Sequence, residues 1–168
     1  MFFHSWLFIL FAIAVVGLFY CLPKGLPRRL LLLLAGLYFY ACFRPEYLIL
    51  MLAVVFMDYT MARFMEKTIA IKKRRFFLCC SLFFDLGILF LFKYLGFFEE
   101  TWNAIFSSLS GEIHLPALLL PMGISFYTFQ SLSYVIDVYR KKIPAEKSLL
   151  QYSLYVTFFP QLVAGPIE

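Results

Sequence analysis

A chain of 168 residues that is 63% hydrophobic and only 15% charged, with a mean hydropathy of +0.85, is not an ordinary water-soluble domain. Such domains are nearer 45–50% apolar and about 25% charged. The net charge of +5 does not point to nucleic acid either, because no soluble basic domain is present to carry such a surface. The expected partner is the lipid bilayer.

The apolar runs predict an all-α fold: a multi-pass transmembrane helical bundle of about five spanning helices plus a final broken or re-entrant segment. In chain order the spans are Phe2–Leu22, Leu30–Phe43, Tyr47–Met61, Phe76–Phe98 and Leu115–Tyr139, with a partial sixth over 149–168. Backbone polar groups in lipid must be satisfied within the segment, so each span is read as a helix. The crowding of Phe and Leu lacks the alternation of barrel strands. Phe2–Leu22 has no Lys or Arg before it and no small-residue cleavage site after it, so it is expected to stay in the membrane. Leu30–Phe43 is short: 14 residues make about 21 Å of helix against a hydrocarbon core of about 30 Å.

Charge sets the orientation. The loops after the first, third and fifth spans hold Lys24, Arg28 and Arg29; then Arg63, Lys67, Lys72, Lys73, Arg74 and Arg75; then Arg140, Lys141, Lys142 and Lys147. The alternate loops hold a single basic residue, Arg44, beside Glu46, and over Gly96–His114 the acidic Glu99, Glu100 and Glu112. The positive-inside rule places the basic loops in the cytoplasm and the N-terminus outside. The four cysteines, Cys21, Cys42, Cys79 and Cys80, show neither CxxC nor Cys/His spacing, so no disulfide framework or metal site is indicated.

Polar residues inside these runs are the candidates for function. Asp85 lies near the middle of its span, where a carboxylate must face protein or water; it reads as part of a substrate or proton pathway or as a hydrogen-bonded packing residue. Asp58 lies nearer the cytoplasmic end and is expected to reach solvent, and Lys93 to snorkel outward. The fifth span carries a stripe. Tyr127, Gln130, Tyr134 and Asp137 follow 3-4-3 spacing and fall within about 80° of one another at 100° per residue, with Gly123 a turn earlier. Phe129, Leu132 and Ile136 are expected on the opposite face. The stripe lines a cavity or glues helices by hydrogen bonds; its residues alone leave both open. Pro121 and Gly123 suggest a break at its start, and Phe159-Pro160 through Gly165-Pro166 another in the last segment. No catalytic set is complete: His4 and His114 lie at or outside the span ends, and Ser125, Ser131 and Ser133 have no histidine on their helix.

Three stretches, Pro121-Met122-Gly123-Ile124-Ser125-Phe126-Tyr127-Thr128-Phe129-Gln130, Ser133-Tyr134-Val135-Ile136-Asp137-Val138-Tyr139-Arg140 and Phe158-Phe159-Pro160-Gln161-Leu162-Val163-Ala164-Gly165-Pro166-Ile167, resemble the membrane-bound O-acyltransferase family, in its alginate O-acetyltransferase branch. Phe92-Lys93-Tyr94 and Asp58-Tyr59 fit as well; Asp85 stands where that branch is expected to have Asn. The resemblance implies that residues 1–168 are the N-terminal portion of one polytopic acyltransferase domain in a bacterial inner membrane. It implies transfer of an acyl group, acetyl above all, from a cytoplasmic thioester such as acetyl-CoA to an extracytoplasmic polysaccharide such as alginate, with periplasmic acetyltransferase partners and no bound cofactor. The family's catalytic histidine matches no residue here, so the segment alone is expected to be inactive, while Gly123, Tyr127, Gln130, Tyr134, Asp137 and Gln161 would line the acyl channel. The competing readings are a D-alanyl transfer protein of the same family and a non-enzymatic transporter or assembly subunit.

Overall fold

The computed structural model describes residues 6–42, 45–110, 121, 123–158 and 160, and every regular element among them is helical. The helices are α1 (Trp6–Cys21), α2 (Leu26–Ala41), α3 (Pro45–Lys67), α4 (Ile71–Ser110), α5 (Ile124–Tyr139) and α6 (Leu149–Thr157). Two stretches, all of α3 and Ile71–Tyr94 of α4, are long and apolar enough to cross a membrane.

Local chemistry accounts for the ends. Pro27 sits in the first turn of α2, where its missing N–H costs nothing, so this helix starts four residues before the apolar run. Its turn is tied down by Arg28, whose Nε donates to the Leu22 carbonyl at 3.0 Å and whose guanidinium lies 4.9 Å from the Phe19 ring. In α3, Glu46 in the first turn and Lys67 in the last complement the helix dipole. α4 was expected to end near Phe98, yet it runs 40 residues to Ser110, about 60 Å. Nothing after Gly96 breaks the helix, so the acidic stretch beyond the apolar run continues it instead of forming a loop.

α5 ends in a Schellman arrangement: the Lys141 N–H donates to the Val138 carbonyl at 3.1 Å and the Lys142 N–H to Asp137 at 3.0 Å. Lys141 holds the left-handed position, φ 58°, that glycine fills more cheaply. α6 opens on Ser148, whose side chain accepts from the Gln151 N–H at 3.4 Å. Its helix ends at Thr157, with Phe158 extended. Of the expected break around Phe159-Pro160…Pro166, only Pro160 is among the described residues; Phe159 and residues 161–168, Gln161 included, lie outside them, as do His4, His114 and residues 111–120.

α3, α4 and α5 pack on one another; α6 fits against α2 and α3, and α1 touches α2 from outside. The seam of α3 repeats at 4-3-4-3 spacing through Met51, Val55, Asp58, Ala62 and Met65, all buried. That spacing is the coiled-coil packing rhythm. The α2–α6 contact is closer still. A Cβ built on Gly36 would lie 2.3 Å from the Thr157 carbonyl oxygen, so glycine at 36 lets the two backbones meet. The outer surface carries large apolar groups: Ile13, Ile49, Phe56, Phe83 and Phe97 are all exposed.

Candidate functional site

The site is the polar interior of the α3–α4–α5 packing. The three-residue connection 68–70 folds α3 and α4 into a hairpin. Asp58 lies ten residues before Thr68 and Ser81 eleven after Ala70, so the hairpin sets them level. The Ser81 hydroxyl donates to Asp58 Oδ1, both side chains fully buried. Asp85, one turn beyond Ser81 on the same face, is equally buried, interacts directly with Asp58, and has no donor on either carboxyl oxygen. Asp58 was expected to reach solvent. It does not, because position 58 belongs to the inward seam of α3. Lys93 does point outward, exposed, 5.9 Å from the Tyr94 ring centre.

α5 supplies the facing wall. Ser131, fully buried, interacts with Asp58 and lies 3.2 Å from the Tyr152 hydroxyl of α6. Tyr127 is fully buried and packs edge-on to Tyr40 of α2, with centroids 6.3 Å apart. Gln130 Nε2 donates to the Tyr155 carbonyl at 2.9 Å. Tyr134 packs on Tyr152 at a tilt of 38°, with centroids 4.6 Å apart, and its hydroxyl accepts the Glu146 N–H at 2.9 Å. The buried hydroxyls of Tyr40 and Tyr127 interact with each other, and the buried Thr128 hydroxyl has no hydrogen-bond partner. Groups of this kind normally bond to protein or ordered water.

Of the stripe, then, Tyr127, Gln130 and Tyr134 are buried together and Gly123, at φ 72°, caps the helix start. Asp137 leaves the group: its side chain is 39% exposed and pairs with Lys142 at 3.4 Å. The helix ends two residues later, so periodicity carries Asp137 onto the right face but past the buried depth. On the opposite side Phe129 is exposed as expected, whereas Leu132 is buried, since α5 is enclosed by more than one neighbour.

The end of α5 forms a rim. Arg74, counted above with the loop charges, is buried and donates through Nη2 to the carbonyls of Val138 at 3.1 Å and Tyr139 at 2.8 Å. A cation on the last carbonyls of a helix satisfies both their lone pairs and the dipole. Beside it opens a cleft of about 360 Å³ lined by Glu66, Thr68, Arg74, Lys141, Lys142 and Pro144 among others. The Tyr59 hydroxyl donates to the Lys147 carbonyl at 2.7 Å, fastening the 140–148 loop to α3.

A helical chain that turns aromatic and aliphatic groups outward and carboxyls, hydroxyls and an amide inward has the organisation of a membrane protein. Sequence comparison gives the particular family. The chain is 39% identical over 160 residues to the probable alginate O-acetylase AlgI of Azotobacter vinelandii, covering 94% of this chain and 32% of the relative. Against the protein of the same name from Pseudomonas aeruginosa it is 38% identical, covering 94% and 31%. Against a peptidoglycan O-acetyltransferase of Helicobacter pylori it is 31% identical, covering 83% and 30%. No family model matches the chain, and no solved structure matches it. The chain belongs to the membrane-bound O-acyltransferase family, in its alginate O-acetylase branch. It spans about a third of the length of the curated relatives it matches.

Proposed function

We propose that this chain forms part of a polysaccharide O-acetyltransferase that carries an acetyl group from a cytoplasmic thioester, acetyl-CoA, to a hydroxyl of an extracytoplasmic polymer such as alginate. The observation that carries the reading is the similarity to relatives named alginate O-acetylase and peptidoglycan O-acetyltransferase. In this reading the chain crosses a bacterial inner membrane about five times, with the N-terminus outside and the 22–25, 68–70 and 140–148 connections in the cytoplasm. The distribution of basic residues supports that orientation.

The buried face of α5 is assigned to the wall of the acyl path, with Gly123, Tyr127, Gln130 and Tyr134 along it, Asp137 at its cytoplasmic rim and Gln161 beyond. Support comes from the depth of these groups: three of them are buried and polar at membrane level, where lipid offers no hydrogen bond. The cleft beside Arg74, Lys141 and Lys142 suits an anionic donor at the rim, with Glu66 as its one opposing charge. The base that activates the acceptor hydroxyl for attack on the thioester is supplied by family residues outside this chain, and periplasmic acetyltransferases take the acetyl group onward.

The test is acetyl transfer by the full-length protein. Gln130→Leu removes the bond to the Tyr155 carbonyl and an amide from the wall, and is expected to lower acetylation of the polymer about tenfold or more, a barrier rise of about 1.4 kcal/mol, at unchanged protein level. Wild-type activity in this variant removes α5 from the acyl path; absence of polymer acetylation in the wild type removes the reaction.

A further inference from the structure

Among the described residues, the buried carboxyls of Asp58 and Asp85 have three of their four oxygens without a donor. Both are fully buried at the level where α3, α4, α5 and α6 meet. Asp58 takes a hydrogen bond from Ser81 and interacts with Ser131. Asp85 meets the Asp58 carboxyl directly, yet neither of its oxygens receives a donor, and Asp58 Oδ2 receives none either. No Lys, Arg or His among the described residues pairs with either carboxyl. Among the described residues, the titratable groups that interact with them are two phenols, Tyr127 on α5 and Tyr152 on α6; Tyr40 lies beyond Tyr127, and Tyr134, with Glu66 and Glu146 near it, beyond Tyr152. Two carboxylates in contact, enclosed and without a cation, cannot both stay ionised. A metal ion would want several oxygen ligands and strong local charge; a proton needs only the two facing oxygens, and it converts a repulsive contact into a charge-assisted hydrogen bond.

The geometry points to a proton-binding site: Asp58 and Asp85 hold one proton between them, carried on Asp85 and donated to Asp58 Oδ2, while Ser81 donates to Asp58 Oδ1. Asp58 is the acceptor because it already has the hydroxyl support that an anion requires, and Asp85 is the donor because it has none. Such a pair titrates as a unit. Ser131, Tyr152 and Tyr134 continue from it as hydroxyl groups toward the 140–148 loop, where the Tyr134 hydroxyl meets the Glu146 N–H.

This site does not depend on the acyl-transfer reading, although that reading gives it a use. Moving an acyl group from a thioester to a hydroxyl forms the ester C–O bond and breaks the C–S bond. One proton leaves the acceptor hydroxyl and one is taken up by the departing thiolate. With the two substrates on opposite faces, a proton held between those faces lies along the route.

Infrared spectroscopy of the full-length protein in lipid, with the aspartates carbon-13 labelled at the side-chain carboxyl, reads the proton directly. At neutral pH the wild type is expected to show the isotope-shifted carbonyl stretch of a protonated aspartic acid, and Asp85→Asn, which keeps a donor toward Asp58, to lose it. A wild type without that band overturns the site, and so does one whose thermal stability instead rises with sodium chloride in place of choline chloride. A band that persists in Asp85→Asn overturns the assignment of the proton to Asp85. None of these readings uses acetyl transfer, so the site and the proposed reaction fail separately.

Discussion

α1 and α5 are both 16 residues long, and α1 is much the more apolar, yet α5 buries nine residues and α1 only Val15. In water the more apolar helix would be the one inside. Here Trp6, Leu10 and Ile13 of α1 stand exposed, while Tyr127, Thr128, Gln130 and Ser131 of α5 are enclosed. Hydrocarbon makes an apolar surface free to face outward and a polar one costly, so hydrogen-bonding capacity, not hydrophobicity, marks the inward face. α1 adds only Phe8, Phe11 and Val15 to a thin cluster with Leu32, Ala35 and Phe39 of α2. α5 is tied to α2, α3, α4 and α6 by its side chains and its last carbonyls.

That contrast predicts unequal responses to substitution. At the α2–α6 approach, Gly36→Ala drives a methyl into the Thr157 carbonyl. Overpacking against backbone should lower stability by about 3 kcal/mol, read as an earlier midpoint when the purified protein is titrated with denaturing detergent. At the end of α5, Arg74→Ala removes the buried guanidinium that donates to the Val138 and Tyr139 carbonyls and should cost about 2 kcal/mol in the same titration. On α1, Leu10→Ala trims an exposed side chain and should shift the midpoint by less than about 0.5 kcal/mol. If Leu10→Ala cost as much as Arg74→Ala, α1 would be as much a part of the core as α5.

The helices were legible because a run of apolar residues has one stable form in lipid. Their limits were less so: Pro27 starts α2 early, and α4 runs on through Glu99 and Glu100 because charge ends a membrane span without ending a helix. The stripe on α5 was legible as a face, but not as a depth. Periodicity groups Asp137 with Tyr134, and only the helix end at Tyr139 puts it at the rim. The Asp58–Ser81–Asp85 group was missed because each aspartate was weighed alone. Two signals were present: the 4-3-4-3 seam of α3 runs through Asp58, and counting out from the short 68–70 connection brings Ser81 level with it. Gly36 and Arg74 carried no local signal, since what fixes their roles is Thr157 and the end of α5, more than 60 residues away in each case.

Whether polar residues define the inside is measured most directly by photoactivated lipid cross-linking of the protein in bilayers, with labelled positions found by mass spectrometry. Label is expected on Leu10 and Ile13 of α1 and on Phe56 and Phe83 of the hairpin, and is expected to be absent from Tyr127 through Val135 of α5, apart from the outward Phe129 and Ser133. Label on Tyr127, Gln130 or Ser131 at the level found on α1 would contradict a polar interior enclosed by these helices.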